Sequence, residues 1–323
     1  MRALLLAVLL AALALPPRPA AAAERHGALI FSRTEAYRHT ECIARGTAAI
    51  RRMGARNGFF VDATEDPAAF RRRKLARYDV VVFLCTTGDV LGPRAQRAFK
   101  RFIRAGGGYA GIHAASASES GWPWYRRLVG ARFADHPGIP GVNAQFQRAT
   151  MRVEDRGTAA TRHLGATWTR EEEWYNFRSD PRDAGAHVLL TVDESTYDPR
   201  GHSGSPGMGR DHPIAWCRRV AGGRSFYTAL GHKGAYWQER RLRRHVFGGI
   251  RMAAGAAPFR CGRGPVGGMA RDPGVRDRGV PRCAGARRGG SSSHEHLHRP
   301  HRAQLPLRRV RHPGRQDPPR VAP

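Results

Sequence analysis

Lysine is nearly missing from this chain. Only Lys74, Lys100 and Lys233 occur in 323 residues, although Lys and Arg together number 55 against 26 Asp and Glu. The formal net charge of +29 therefore rests on arginine. The arginines are spread from one end to the other, with no aromatic interleaving and no recognition motif. That pattern excludes the focused basic patch of a nucleic-acid reader, and no nucleic-acid partner is expected. Arginine in place of lysine, beside abundant Ala, Gly and Pro, matches the coding bias of a GC-rich genome.

Long apolar runs are scarce too. Residues 3–15, between Met1-Arg2 and the alanines at 20–23, form one. It is shorter than the ~20 residues a bilayer span needs. It reads as a secretory signal peptide over residues 1–23, cut after Ala23. No later run is long enough to cross, so the expected mature protein is secreted or extracytoplasmic, without a membrane span. The five cysteines, Cys42, Cys85, Cys217, Cys261 and Cys283, include no C-x-x-C pair. This excludes a zinc ribbon and a thioredoxin-type motif. Export permits disulfides, but spacing does not say which cysteines pair. Cys42, Cys85 and Cys217 lie in apolar or helical contexts that suit buried thiols. H-E-x-x-H is absent from residues 24–257; those letters occur only at 294–298, beyond the folded unit. Gly201-His202-Ser203-Gly204-Ser205 lacks both the G-x-S-x-G pattern and the strand-to-helix context of a serine hydrolase.

What is present is a parallel crossover unit. Tyr78-Asp79-Val80-Val81-Val82-Phe83-Leu84 is an apolar run closed by Cys85-Thr86-Thr87-Gly88-Asp89. Residues 93–105 carry Ala95, Ala98, Phe99, Phe102 and Ile103 at helical spacing. Gly106-Gly107-Gly108 then leads into Tyr109-Ala110-Gly111-Ile112 and His113. Strand, helix, strand is the parallel unit. Such sheets bind ligands beyond the carboxyl ends of their strands, so residues 85–89 and 113–120 should share one functional rim. Strands are expected near 28–32, 59–62, 79–84 and 109–112, with a first helix over 38–55. A short aromatic helix or turn over 122–128 follows. Further strands are expected at 146–153, 173–177, 188–192, 214–217 and 225–230, before a closing helix at 236–253. Residues 24–257 read as one folded unit, an α/β domain with extra strands after the fourth. From about 258 to 323, Arg, Gly, Pro, Ser and His dominate without apolar periodicity, which predicts a basic disordered tail. Its cluster of His294, His296, His298 and His301 reads as an accident of composition.

Polar residues gather where strands end: Tyr37-Arg38-His39, Asp89, His113, His136-Pro137, Glu172-Glu173-Trp174-Tyr175, Asp211-His212-Pro213 and Gly231-His232. Histidine suits both proton transfer near neutrality and borderline metals. His136 and His212 precede prolines, which hold the backbone extended. A carboxylate beside aromatic rings, as at Glu173, is suited to combine hydrogen bonding with stacking on a sugar.

These residues, together with Trp124 to Leu128, Gly130, Phe133, the run Met208-Gly209-Arg210-Asp211-His212-Pro213-Ile214-Ala215-Trp216, and Gly223-Arg224 through Tyr227 to Gly231-His232, resemble the ThuA-like family, named for trehalose utilisation. The resemblance covers roughly residues 26–257. It implies a flavodoxin-like, mainly parallel sheet flanked by helices, similar to class I glutamine amidotransferases, and a link to carbohydrate metabolism. Amidotransferases carry a nucleophilic cysteine at the turn that here holds His113-Ala114-Ala115, and imidazole cannot replace a thiolate in thioester chemistry. Cys-dependent amidotransfer is therefore not expected, and Cys85, on the preceding strand-end loop, reads as a buried thiol. The expected site combines His113, Glu173, His212 and His232 as acid/base residues with His39, Asp89, Trp124, His136, Trp174 and Tyr175 as contacts to a small carbohydrate. Trp122 is a further stacking candidate. Two alternatives stay open: a divalent metal such as zinc held by three His and one Glu, and a sugar-binding module without catalysis. The sequence does not define an oligomeric state.

Overall fold

The computed structural model describes residues 26–262. The expected leader over 1–23 lies outside them, as does the expected tail from 263 onward with its histidine cluster. Among the described residues, no helix is long and apolar enough to cross a membrane.

Five parallel strands make the centre: β1 (His26–Phe31), β2 (Phe59–Thr64), β3 (Val80–Leu84), β4 (Gly108–Ile112) and β11 (Gly223–Thr228). The first four fall where the apolar runs predict them. β3 and β4 are buried along their whole length, as expected of strands covered on both faces. Helices α1 (Thr40–Ala55), α2 (Arg72–Leu75), α3 (Pro93–Arg104), α4 (Pro123–Val129) and α5 (Arg240–Ala254) flank the sheet. Helix α1 turns Cys42, Ile43, Gly46, Ala49 and Ile50 inward. Gly46 is needed there because a Cβ would lie 2.8 Å from the Trp237 ring.

Four antiparallel strands extend the sheet beyond β11: β10 (Pro213–Val220), β9 (His187–Val192), β6 (Gln147–Val153) and β7 (Thr167–Glu172). The full order is β2-β1-β3-β4-β11-β10-β9-β6-β7. Two short strands, β5 (Phe133–Asp135) and β8 (Asn176–Phe177), pair separately. The result is the expected mixed α/β architecture around a large, mostly parallel sheet.

Three local expectations are corrected. The strand expected at 173–177 is reduced to β8 at Asn176–Phe177; the unexpected β7 stops at Glu172, and Glu173 to Tyr175 lie between the two. The Glu172 carboxylate accepts the backbone N–H of Gly231 at 2.9 Å and meets Arg170 at 3.1 Å, both deep inside, which fixes the strand end. The closing helix is broken. Residues Gly234–Gln238 form a 3₁₀ turn, and α5 begins only at Arg240. The expected buried thiols are instead bonded: Cys42 to Cys85, and Cys217 to Cys261. Cys261, beyond the expected end of the fold at 257, is fully buried. Spacing alone could not reveal either pairing, because each joins residues more than forty positions apart.

Register levels the rim. Leu84 pairs with Ile112, and Ile112 pairs with Thr228. The next residues, Cys85, His113 and Ala229, therefore leave the sheet side by side.

Candidate functional site

Two rim residues sit in the left-handed backbone region, Cys85 at φ 52° and His113 at φ 53°. Neither is glycine, and such conformations cost of order 1–3 kcal/mol unless the surroundings hold them. At His113 the hold is visible. Its Nδ1–H donates to the Ala229 carbonyl at 2.7 Å. Its backbone carbonyl accepts from the Tyr227 hydroxyl at 2.8 Å. With Nδ1 committed, Nε2 points inward. It meets the Tyr175 hydroxyl at 2.8 Å, His232 Nδ1 at 2.9 Å and Glu173 Oε2 at 3.3 Å.

His232 follows Gly231, whose φ of 111° turns the chain over the rim. Backbone N–H groups of both residues lie on the Glu172 carboxylate, at 2.9 and 3.3 Å. His232 Nδ1 also lies 2.9 Å from Glu173 Oε2. The other oxygen of Glu173 accepts from Gln145 and faces His136 Nε2 at 3.3 Å. The Nδ1–H of His136 donates to the Pro137 carbonyl at 2.6 Å. His39, just before α1, places its ring edge-on to His113 and His232, with centroids at 4.8 and 4.7 Å. It is buried, and its Nδ1 has no hydrogen-bond partner among the described residues.

The electrostatics follow from burial. Burial by itself would raise the Glu173 carboxyl. The neighbouring His113 and His232 imidazoles outweigh it and hold the group well below the usual carboxylate range. Burial pushes His39 down to about 2, helped by the neighbouring His113 and His232, so its ring is neutral. Burial, with Glu173 adding to it, lifts the Tyr175 phenol well above its ordinary value. Tyr175 thus stays a protonated donor.

This group floors a cavity of about 360 Å³ whose walls include Tyr37, Phe133, His136, Gln145 and Tyr175. That volume suits one small ligand. A larger hollow of about 540 Å³ beside α2 and α3 is lined by Leu75, Ala98, Phe102 and arginines, with no carboxylate or imidazole. Chemistry, rather than size, selects the smaller cavity.

Of the residues expected at the site, His39, His113, His136, Glu173, Tyr175 and His232 converge. Four do not. His212 is fully buried elsewhere, with the Tyr175 carbonyl 2.8 Å from Nε2 and Glu194 Oε1 2.7 Å from Nδ1. Both nitrogens are occupied, so it braces the backbone behind Tyr175. Trp174 is buried with its indole N–H on the Gln147 carbonyl at 2.8 Å. Trp124 packs in the core against Phe99 and Trp122. Asp89 is exposed and does not line the cavity. The aromatic walls are Tyr37, Phe133 and Tyr175, not tryptophans. Gln145 was not foreseen. It lies in a loop with no motif, and only its bond to Glu173 marks it.

The trehalose utilisation family model, ThuA, matches residues 27–253. Comparison with curated proteins finds no match. Among solved structures, a ThuA-like protein from Bacteroides uniformis is similar at 24% identity and a TM-score of 0.60, over 73% of this chain and 94% of that one. Another, from Parabacteroides merdae, is 19% identical with a TM-score of 0.54, over 72% and 91% of the two chains. The family match spans most of the sequence, the sheet order agrees with the fold expected from the motifs, and the chain belongs to the ThuA family.

Proposed function

We propose that the protein is an exported enzyme that binds a small carbohydrate in the rim cavity and moves a proton on it, in a hydrolysis or an isomerisation. Membership of the ThuA family supports a carbohydrate-related role in general. The observation that carries the finer reading is the convergence of Glu173 with four imidazoles, three of which line one small, aromatic-walled cavity. Tyr37 stands exposed at the mouth, where a ring face is available to stack on a pyranose. His136 is the most accessible imidazole touching Glu173. It is the group suited to exchange a proton with the ligand. His113 is sealed from the cavity and orients the carboxylate. Export is supported by the two disulfides, which persist in oxidising compartments.

The test is turnover of a panel of disaccharides and keto-sugars by the purified chain. His136→Ala should lower turnover about 10²-fold, the usual scale for a lost general acid or base, with an unchanged circular dichroism spectrum. Saturable sugar binding without turnover of any panel member would favour a non-catalytic binding module.

A further inference from the structure

We propose that His39, His113, His232 and Glu173 bind one divalent metal ion of the zinc type at the floor of the cavity. The proposal rests on that cavity being the functional site but not on the identity of the sugar.

Geometry comes first. Each of the four residues offers one ligand atom, and all four atoms lie within 4.8 Å of one another. The pairs around Glu173 Oε2, His113 Nε2 and His232 Nδ1 are 2.9, 2.9 and 3.3 Å apart. Ligand atoms on a tetrahedron with bonds of about 2.1 Å stand roughly 3.4 Å apart. An ion therefore asks these atoms to open by a few tenths of an ångström.

The second argument is a count of protons. His113 spends its N–H on the Ala229 carbonyl, so its Nε2 faces the cluster as a lone pair. Glu173 Oε2 is an acceptor. His39 Nδ1 is buried and unmatched. The Tyr175 hydroxyl reaches His113 Nε2, and His232 Nδ1 stands at 2.9 Å from both His113 Nε2 and Glu173 Oε2, but neither donor reaches His39 Nδ1. A buried ring nitrogen without a partner is costly, and one shared proton between two close acceptors leaves the second underserved. A cation satisfies all of them together, and His232 joins it on losing its Nδ1 proton.

The surroundings are those a metal site needs. The carbonyl of Ala229 fixes the tautomer of His113, Gln145 and His136 hold the far oxygen of Glu173, and the Glu172 carboxylate anchors the His232 backbone. Such outer contacts orient metal ligands. A donor set rich in imidazole suits zinc, cobalt, nickel, copper or iron over magnesium or calcium. His39, Glu173 and His232 all border the cavity, so a further coordination position opens to a ligand. An ion there would polarise a hydroxyl or carbonyl oxygen of the bound sugar. His136 is then the imidazole left free for proton transfer. The four ligands come from four separate places in the chain, which is why no short spacing announces them.

The experiment uses the full chain, stripped with a chelator and then titrated with Zn²⁺ or Co²⁺. Metal content, the visible absorption of Co²⁺ and melting temperature are read. The expected result is one site ion per chain, a raised melting temperature and a tetrahedral or five-coordinate Co²⁺ spectrum. His39→Ala and Glu173→Gln should each weaken binding at least about tenfold, beyond the lower end of what losing only an outer contact does. His136→Ala should retain the ion. The histidines at 294–301 are present in every variant, so an ion held there would survive both substitutions. Equal metal content and spectrum in wild type, His39→Ala and Glu173→Gln would overturn the proposal. So would the absence of binding and of any melting shift in the wild type, which needs no variant to fold. Turnover by metal-free protein that binds no ion would defeat the ion site and leave the sugar reading standing. An ion bound at these residues without sugar turnover would do the reverse.

Discussion

Two groups of buried histidines share this domain, and they behave oppositely. His245 and His212 are fully buried. At His245, Nδ1 donates to the Ala160 carbonyl at 2.9 Å and Nε2 meets the Thr228 hydroxyl at 3.1 Å. At His212, oxygens sit at both nitrogens. Around Glu173 the situation differs. His39, His113 and His232 turn toward one carboxylate, and one ring nitrogen of His39 faces nothing. Burial alone thus says little about a histidine. Whether its nitrogens are matched separates a structural ring from a chemical one.

The largest contrast should come from paired substitutions. Glu173→Gln should cut turnover about 10²-fold or more, roughly 2.7 kcal/mol of lost transition-state stabilisation, with little change in melting temperature. His212→Ala should do the converse. It leaves the Glu194 carboxylate without its imidazole and should cost about 2–4 kcal/mol of stability, with turnover kept within a few-fold under folded conditions. Steady-state kinetics beside urea unfolding reads both. If His212→Ala abolishes turnover while stability holds, the two groups are not distinct.

A second measurement separates them by location. The Cys42–Cys85 bond joins the first turn of α1, which carries His39 into the site, to the end of β3. Replacing both by serine should lower stability by about 2–4 kcal/mol, the usual worth of a native disulfide. Activity of the folded fraction should persist, because Cys85 is held in the disulfide and does not stand free as a thiol. Inactivation of well-folded Cys85→Ser alone would revive thiol chemistry.

The smallest effect is one of pH. Burial holds His245 down to about 3, against 6.5 when exposed. As pH falls below 6.5 the unfolded chain gains this proton and the folded chain does not, so folding weakens progressively down to about pH 3. Between pH 6.5 and 5 this amounts to about 2 kcal/mol. His245→Asn should flatten that part of the stability profile. An unchanged slope would mean that other groups dominate the acid loss.

Sequence made much of this legible. β3 and β4 were readable because strands buried on both faces must be continuously apolar. Six of the site residues were readable because side chains at strand ends, beside Gly or Pro, face the rim. His212 carried the same local signature and belongs elsewhere. Its partner Glu194 sits in a short 3₁₀ turn, Glu194–Thr196, that no periodicity marks. Trp124 and Trp174 looked like stacking platforms, but large apolar rings gain more by burial, and the indole of Trp174 found a carbonyl. Disulfide partners and Gln145 depend on tertiary proximity, which spacing does not encode.

Glu172 and Glu173 are neighbours in the chain with opposite employment. Successive side chains of a strand leave on opposite sides, and β7 ends between the two. Glu172 faces Arg170 and the backbone beneath His232; Glu173 faces the imidazoles. A single peptide step thus divides one acidic dipeptide into a foundation and a tool, and keeps two negative charges from competing for the same space. A deletion of one residue within β7 would move Glu173 into the place of Glu172 and put Trp174 where Glu173 stands. The chain would keep its composition almost unchanged and a carboxylate under the rim, and lose the one above it.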